Sequence, residues 1–146
     1  MRARRYPAAF FIVAGLVGKT DEWMRVTKHP EERLMDWDEL KRLRDEGFAI
    51  GSHTMTHTVV TREEVVESRR VLQEKLGTSV AHFAYPRGEH TPEAVGWVRE
   101  AGYAAAWATK SGPDDPFTRR RLPVSASLSP LGFRFKLFKA RLGWYS

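Results

Sequence analysis

Two histidines, His53 and His57, stand four residues apart in the segment 51–57 (Gly-Ser-His-Thr-Met-Thr-His). Side chains at that spacing can turn toward the same point and bind one metal ion. The run Phe48-Ala-Ile-Gly-Ser52 before them predicts a buried strand, so His53 follows a strand end. Two threonines within the segment can hydrogen-bond to the metal-binding side chains. The pattern predicts a metal site, although the same spacing in an ordinary loop is often incidental.

A second polar turn, residues 83–88 (Phe-Ala-Tyr-Pro-Arg-Gly), also follows a predicted strand. A proline with a glycine two places later predicts a tight turn that exposes the backbone N–H of Arg87. Such a donor can stabilise an oxyanion without any particular side chain. Taken alone the pattern is weak, because many strand-to-helix turns look similar.

The remaining candidate residues each have a structural interpretation as well. The chain has no cysteine, so a metal must be bound by His, Asp, Glu or water. Trp23 is either a packing lid or a platform on which a sugar stacks. His82 alternates with apolar neighbours along a predicted strand, which favours packing over catalysis. Asp114 and Asp115 lie in a Gly/Pro-rich loop that is typical of an ordinary turn.

Strand and helix patterns alternate with short connections, which predicts an α/β fold with a mostly parallel sheet. Strands are predicted at residues 8–13, 48–52, 80–85 and 103–108, with at most an edge piece at 122–124. The first strand is continuously apolar and is predicted to be buried on both faces. The predicted helices begin with capping patterns at Asp36/Glu39, Thr61/Glu64 and Thr91-Pro92. In such folds the loops after the carboxyl ends of the strands form the active face, where both polar turns lie.

Residues 129–143 predict a basic helix with Ser129 as its N-cap and Pro130 at its first position. This helix could pack on the core of the domain or lie on an anionic membrane surface. We therefore divide the chain into a domain at residues 1–128 and a basic helix within residues 129–146.

The net charge of +6 is concentrated near the two ends, because residues 1–20 and 116–146 contain no acid. Such ends fit an anionic neighbour, such as a membrane surface or a polyanionic glycan. The chain shows no helix-turn-helix, zinc finger or aromatic RNA-binding motif, so nucleic-acid binding is not expected. No segment has the pattern of a membrane span or of a clear signal peptide. The location therefore stays undefined, and it would be cytoplasmic if residue 1 is the natural start.

Taken in order, several segments resemble the polysaccharide deacetylase family, also known as the NodB-homology or carbohydrate esterase family 4 (CE4) enzymes. These are Pro-Ala-Ala-Phe-Phe-Ile near the start, the stretch from Trp37 to His57, Phe-Ala-Tyr-Pro-Arg-Gly, and Glu-Ala-Gly-Tyr103. The resemblance implies a deformed (β/α) barrel and metal-dependent removal of N- or O-acetyl groups from polysaccharides. It implies that His53 and His57 bind a divalent ion, zinc by preference, and that the Arg87 amide binds the oxyanion.

The chain departs from the family pattern at several points, three of which bear on its activity. The family's Thr-Phe-Asp-Asp strand end, which supplies the catalytic base and the third metal ligand, has no match in these residues. Ala84 stands where many members carry an arginine that orients the base. No histidine follows His90, which is therefore the weak candidate for the general acid. We expect an incomplete barrel, lacking its first strand and helix, with weak or no deacetylation.

Two further expectations concern partners. The alternative to an enzyme is a non-catalytic, deacetylase-like domain that binds glycan or has a structural role. Acetylated glycan is the expected ligand, and the candidate substrate-binding residues are Tyr85, Pro86, Trp23 and Trp107. A barrel without its first strand exposes a sheet edge beside residues 8–13, which predicts self-association through that edge.

Overall fold

The computed structural model describes residues 7–27, 30–109, 115–124 and 127–141, without the side chains of residues 25–27. Five strands form one sheet: β1 (Ala9–Ile12), β2 (Ala49–Ser52), β3 (His82–Ala84), β4 (Ala105–Ala108) and β5 (Arg119–Arg120). Four α-helices are described: α1 (Trp37–Asp45), α2 (Arg62–Leu76), α3 (Pro92–Glu100) and α4 (Pro130–Arg141). Short 3₁₀ turns occupy Ala14–Leu16, Glu22–Thr27 and Pro86–Gly88.

The sheet is parallel throughout, and its strands lie side by side in chain order. The helices between successive strands provide the crossovers that parallel pairing requires. The predicted α/β architecture with a mostly parallel sheet is therefore confirmed. The predicted edge piece at residues 122–124 is wrong in position, because the pairing with β4 falls at Arg119 and Arg120.

The hydrophobic core lies between one face of the sheet and the first three helices. Its fully buried members include Leu40 of α1, Leu72 of α2, Phe83 of β3 and Val98 of α3. The apolar stripes of these helices supply the contacts, as their periodicity predicts. Burial of these side chains provides the main stabilisation of the fold.

The opposite face of the sheet carries Phe11, His82 and Trp107. The Trp107 ring lies 5.6 Å from the Phe11 ring and 5.0 Å from the His82 ring, measured between centroids. All three side chains are half-buried. The prediction that β1 is buried on both faces is therefore wrong, because none of α1–α3 packs on this side in the described part of the chain.

Capping fixes where the helices begin, and one cap differs from its prediction. Asp36 and Glu39 form the predicted reciprocal capping box of α1. At α2 the Thr61 hydroxyl accepts the N–H of Glu64, but the Glu64 carboxylate does not return to Thr61. It accepts instead the N–H groups of Met55 and Thr56, at 2.8 and 3.0 Å. The second capping box is thus half formed, because the Glu64 carboxylate bonds to the histidine segment instead of to Thr61.

Helix α4 starts at Pro130, with the Ser129 hydroxyl accepting the N–H of Gly132 at 3.1 Å, as predicted for an N-cap. None of its residues is buried. This helix therefore adds no side chain to the buried core, and its place on the domain or on an anionic surface stays a prediction. No helix in the described ranges combines the length and apolar character that a membrane crossing requires.

Candidate active site

His53 and His57 come together at the carboxyl end of β2. Their rings lie 4.8 Å apart between centroids, at an interplanar angle of 65°. The His53 amide donates to the Ile12 carbonyl at 2.8 Å, which fixes the start of the segment on β1. His53 Nδ1 lies 2.6 Å from the carbonyl oxygen of Ala84, at the end of β3. A carbonyl only accepts, so Nδ1 carries the proton and Nε2 has its lone pair free.

This pair fits a shared metal ion. A zinc ion lies about 2 Å from a histidine nitrogen, so two rings that share it have centroids within ~6 Å of each other. The observed 4.8 Å satisfies that limit. The bond from His53 Nδ1 to a backbone carbonyl is the support that metal-binding histidines usually have. No set of three potential metal-binding side chains (His, Cys, Asp or Glu) occurs among the described residues, so a third protein ligand is not found there.

The histidine segment is held in place by several hydrogen bonds. Thr54 is completely buried, and its hydroxyl accepts the N–H of His57 at 3.0 Å. Glu64 accepts hydrogen bonds from the amides of Met55 and Thr56 and from the Thr56 hydroxyl. The Met55 carbonyl also accepts the N–H of Gly15 at 2.9 Å. A Cβ on Gly15 would lie 2.6 Å from that oxygen, so only glycine allows this approach.

The Arg87 turn is the second part of the site. Arg87 has φ +56°, and its backbone N–H donates to no group of the described residues. Gly88 follows at φ +74°, where a Cβ would lie 2.3 Å from the Thr109 side chain. Thr109 Oγ1 in turn donates to the Gly88 carbonyl at 3.2 Å. The turn is therefore rigid, and it presents a free backbone donor of the kind that binds an oxyanion.

Strained backbone is concentrated at this site. In the described ranges the non-glycine residues with positive φ are Thr54, His57 and Arg87. Such conformations cost roughly 1–3 kcal/mol each and persist where the surrounding structure enforces them. All three lie in the two polar turns that the sequence singles out, which is the distribution typical of a functional site.

The electrostatic environment keeps both histidines neutral. Burial lowers the pKa of His53 from 6.5 to about 4, and the hydrogen bond to Ala84 offsets part of that effect. Burial also lowers the pKa of His57, as do the cationic side chains of Arg87 and Arg121. A neutral imidazole is the form that binds a metal ion.

Arg121 is a site residue that sequence reasoning missed. It follows β5, and its Nη2 donates to the Tyr85 carbonyl at 3.1 Å, which places the guanidinium beside the Arg87 turn. The sequence offers a run of three arginines at 119–121. Only the sheet register shows which one reaches the histidines, because Arg119 and Arg120 are exposed on the edge strand.

Trp23 lies against the histidine pair. Its ring stacks on the His57 ring, with centroids 4.5 Å apart and planes at 27°. Beside it a small apolar cavity of about 150 Å³ has walls that include Trp23, Leu40 and His53. The ring is therefore both a lid on this cavity and one wall of the site.

Beside the Arg87 turn lies a larger open groove of about 580 Å³. Val59, Pro86, Arg87, Glu89 and His90 are among the residues that line it. The His90 ring lies 5.3 Å from the Tyr85 ring between centroids, so His90 stands at the wall between the groove and the core. The structure thus brings Pro86, Arg87 and His90 to one concave surface.

Three candidates lie apart from the histidine pair. Tyr85 is completely buried, and its hydroxyl donates to the Phe117 carbonyl at 3.0 Å. Its ring is a core side chain, so the prediction that it binds substrate is inconsistent with its burial. Trp107 packs with Phe11 and His82 on the other sheet face. Asp115 accepts the N–H of Phe117, as expected of a turn, and Asp114 lies outside the described residues.

Comparisons with known proteins identify a family and a shared fold. A family model for polysaccharide deacetylases matches residues 1–106. IcaB from Ammonifex degensii has a similar structure, with a TM-score of 0.70 at 24% identity, covering 86% of this chain and 60% of that one. A polysaccharide deacetylase from Bacillus cereus gives 0.71 at 23% identity, covering 90% of this chain and 42% of that one.

A mutant of a CE4-family pseudoenzyme is also similar, with a TM-score of 0.51 at 18% identity, covering 73% of this chain and 36% of that one. No curated protein sequence matches the chain significantly. The chain spans at most 60% of the length of these three solved chains. At these identities the structures show a shared fold.

Proposed function

The chain belongs to the polysaccharide deacetylase family, and from that membership we propose that it binds an acetylated polysaccharide and takes part in hydrolysing its acetyl groups. The proposed ligands of a divalent ion, zinc by preference, are His53 and His57. The observation that carries this proposal is the pair itself: two neutral, adjacent rings, one of them fixed by the bond from Nδ1 to Ala84. A histidine pair with a purely structural role would not need an Nε2 lone pair that is free to bind a metal ion.

Each part of the chain has a definable task in that reaction. A divalent ion bound at the pair supplies Lewis-acid polarisation of the acetyl carbonyl and a more acidic water. The Arg87 amide donates to the oxygen on which negative charge develops. Trp23 covers the site and excludes water from one side. His90 is the candidate that protonates the leaving amine from the wall of the groove.

Deacetylation also needs a carboxylate that takes the proton of the attacking water. The described residues place none in a cluster with the two histidines. We therefore propose that these 146 residues alone deacetylate weakly or not at all, although they bind metal and glycan. This part of the proposal rests on the composition of the site rather than on the fold.

The test measures metal binding and turnover separately. Calorimetric titration with zinc should show one site that is lost in His53→Ala and His57→Ala and retained in the control His82→Ala, whose ring lies on the other sheet face. Release of acetate from acetylated glucosamine oligomers should be low even with added zinc or cobalt. Turnover that survives in His53→Ala would exclude this site, as would zinc binding that does not need either histidine.

A second candidate function is glycan binding without chemistry. The half-buried Trp23 ring, stacked on His57 at the site, favours it, since sugar rings stack on aromatic faces. Tryptophan fluorescence during titration with chitooligosaccharide distinguishes the two functions. Binding that is lost in Trp23→Leu but kept in Trp97→Leu, with no acetate released under any metal condition, supports the non-catalytic function.

A further inference from the structure

Arg121 carries a charge that the described structure does not neutralise. Its guanidinium is half-buried, and no ion pair links it to a carboxylate in the part of the chain that the structure describes. Its Nε is buried and has no hydrogen-bond partner there. A buried donor without a partner is destabilising, and more so when the group is charged. A ligand that accepts from this donor would remove that cost.

The surroundings identify the sign of that ligand. Arg121 donates to the carbonyl of Tyr85. His53 Nδ1 lies 2.6 Å from the carbonyl of Ala84, the preceding residue, so the guanidinium lies beside the histidine pair. Arg87 follows in the same turn. Two cationic side chains therefore lie beside the two adjacent imidazole rings, and the local potential is positive. Among the described residues the Arg121 side chain donates to one acceptor, the Tyr85 carbonyl, which anchors Nη2 and leaves the other N–H groups available to an anion.

We propose that Arg121 binds a carboxylate ligand beside His53 and His57, and this inference rests on the proposed function. The guanidinium is the side chain suited to that role, because its planar N–H groups match the two oxygens of a carboxylate. Two sources have this chemistry, namely the acetate that deacetylation releases and the carboxylate of an acidic sugar in the polysaccharide. The Tyr85 carbonyl holds the guanidinium in place for either.

The alternative, a purely structural arginine, accounts for less. A structural role needs only the bond to Tyr85, which a neutral donor could make without the cost of a buried charge. The two roles also differ in what they predict for a lysine. Lysine keeps the charge but has no planar fork, so it should retain the fold while binding a carboxylate more weakly.

The experiment titrates ¹³C-labelled acetate and, separately, glucuronate into metal-free protein, followed by NMR. Wild type should bind at least one of them, and the tighter of the two identifies the source. Arg121→Gln should weaken binding by tenfold or more, and Arg121→Lys by less. Arg119→Gln is the matched control, since it removes the same charge from an exposed position two residues away. Circular dichroism confirms that each variant is folded.

Each outcome decides the inference. Binding that depends on residue 121 and not on residue 119 supports it. Wild type that binds neither probe overturns it, and so does equal weakening in Arg119→Gln and Arg121→Gln, which would show an effect of net charge alone. The titration uses no metal and measures no turnover, so the inference can fail while the proposed deacetylase function stands. Deacetylation can equally be absent while the carboxylate still binds.

Discussion

At the scale of single residues, the protonation of His53 links the site to stability. Its pKa is about 4 in the folded protein against an ordinary 6.5, chiefly because burial disfavours the charged ring. Between these values the unfolded chain binds the proton and the folded protein does not, so stability rises with pH. His57 shifts in the same direction. We expect metal-free protein to lose up to ~3 kcal/mol of stability as the pH falls from about 6.5 to 4, at ~1.4 kcal/mol per pKa unit.

Urea denaturation at a series of pH values, with chelator present, measures this dependence. His53→Asn should flatten the curve between pH 4 and 6.5, because asparagine has no proton to gain in that range. A wild-type stability that is constant over the interval would contradict the burial-driven shift of His53.

A second residue-scale prediction concerns Glu64, which holds the segment between the two histidines through three hydrogen bonds. Glu64→Gln removes the charge from those bonds and one acceptor oxygen. Partners that orient metal-binding groups typically contribute 10- to 100-fold in affinity, so zinc binding should weaken by about tenfold. Glu63→Gln, at the exposed neighbouring position of α2, should bind zinc as wild type does. Calorimetry on both variants measures the difference, and equal affinities would show that Glu64 only caps its helix.

At the scale of elements, the Arg87 turn depends on one glycine. Gly88→Ala adds a methyl group 2.3 Å from Thr109 at a backbone φ of +74°, so both the space and the conformation oppose it. We expect a loss of about 2 kcal/mol or more. Gly96→Ala in α3 is the matched control, since nothing lies within 4 Å of the added carbon, and it should stabilise by up to ~1 kcal/mol. Thermal unfolding of both variants gives the comparison, and a Gly88→Ala protein as stable as wild type would contradict the close approach.

Sequence patterns predict the elements of this fold better than their surroundings. Strand and helix periods and the caps at Asp36, Thr61 and Thr91 depend on neighbours within a few residues, so the order of elements follows from the sequence. The half-exposure of β1 does not, because an apolar run reads the same whether one face is covered or two. Glu64 shows the same limit of sequence patterns. The amides that donate to its carboxylate are determined by how the histidine segment folds back onto α2, which local sequence does not show.

The same distinction between local and long-range information applies to the residues of the site. His53, His57 and Arg87 are found from local spacing, and the structure brings the first two together. Arg121 is separated from the two histidines by more than sixty residues, and only the sheet register places it at the site. Tyr85 shows the converse: its position in the motif suggests substrate contact, while the structure points its ring into the core. A motif predicts the backbone path of a turn, but not which side chains face the groove.

At the scale of the whole molecule, the sheet has two edges, and β1 forms one of them. Its inward residues pair with β2, as shown by the Ala8 carbonyl accepting from Ala49 and the Ile12 carbonyl accepting from His53. The alternate residues, Ala9 and Phe11, therefore direct their N–H and C=O groups away from the sheet. A row of unpaired backbone groups is a template for another strand. We expect the protein to self-associate through this edge.

Two substitutions at the exposed residue Ala9 test that expectation without disturbing the pairing with β2. Ala9→Pro removes an outward N–H and Ala9→Lys adds a charge, and both measures discourage edge-to-edge pairing. Sedimentation velocity at tens of micromolar protein should show wild type as a dimer or larger species and both variants shifted toward monomer. Ala104→Lys adds the same charge at an exposed position away from β1 and should not change the mass. A monomeric wild type would contradict self-association. Variants with the same mass distribution as wild type would show that the protein associates through a surface other than the β1 edge.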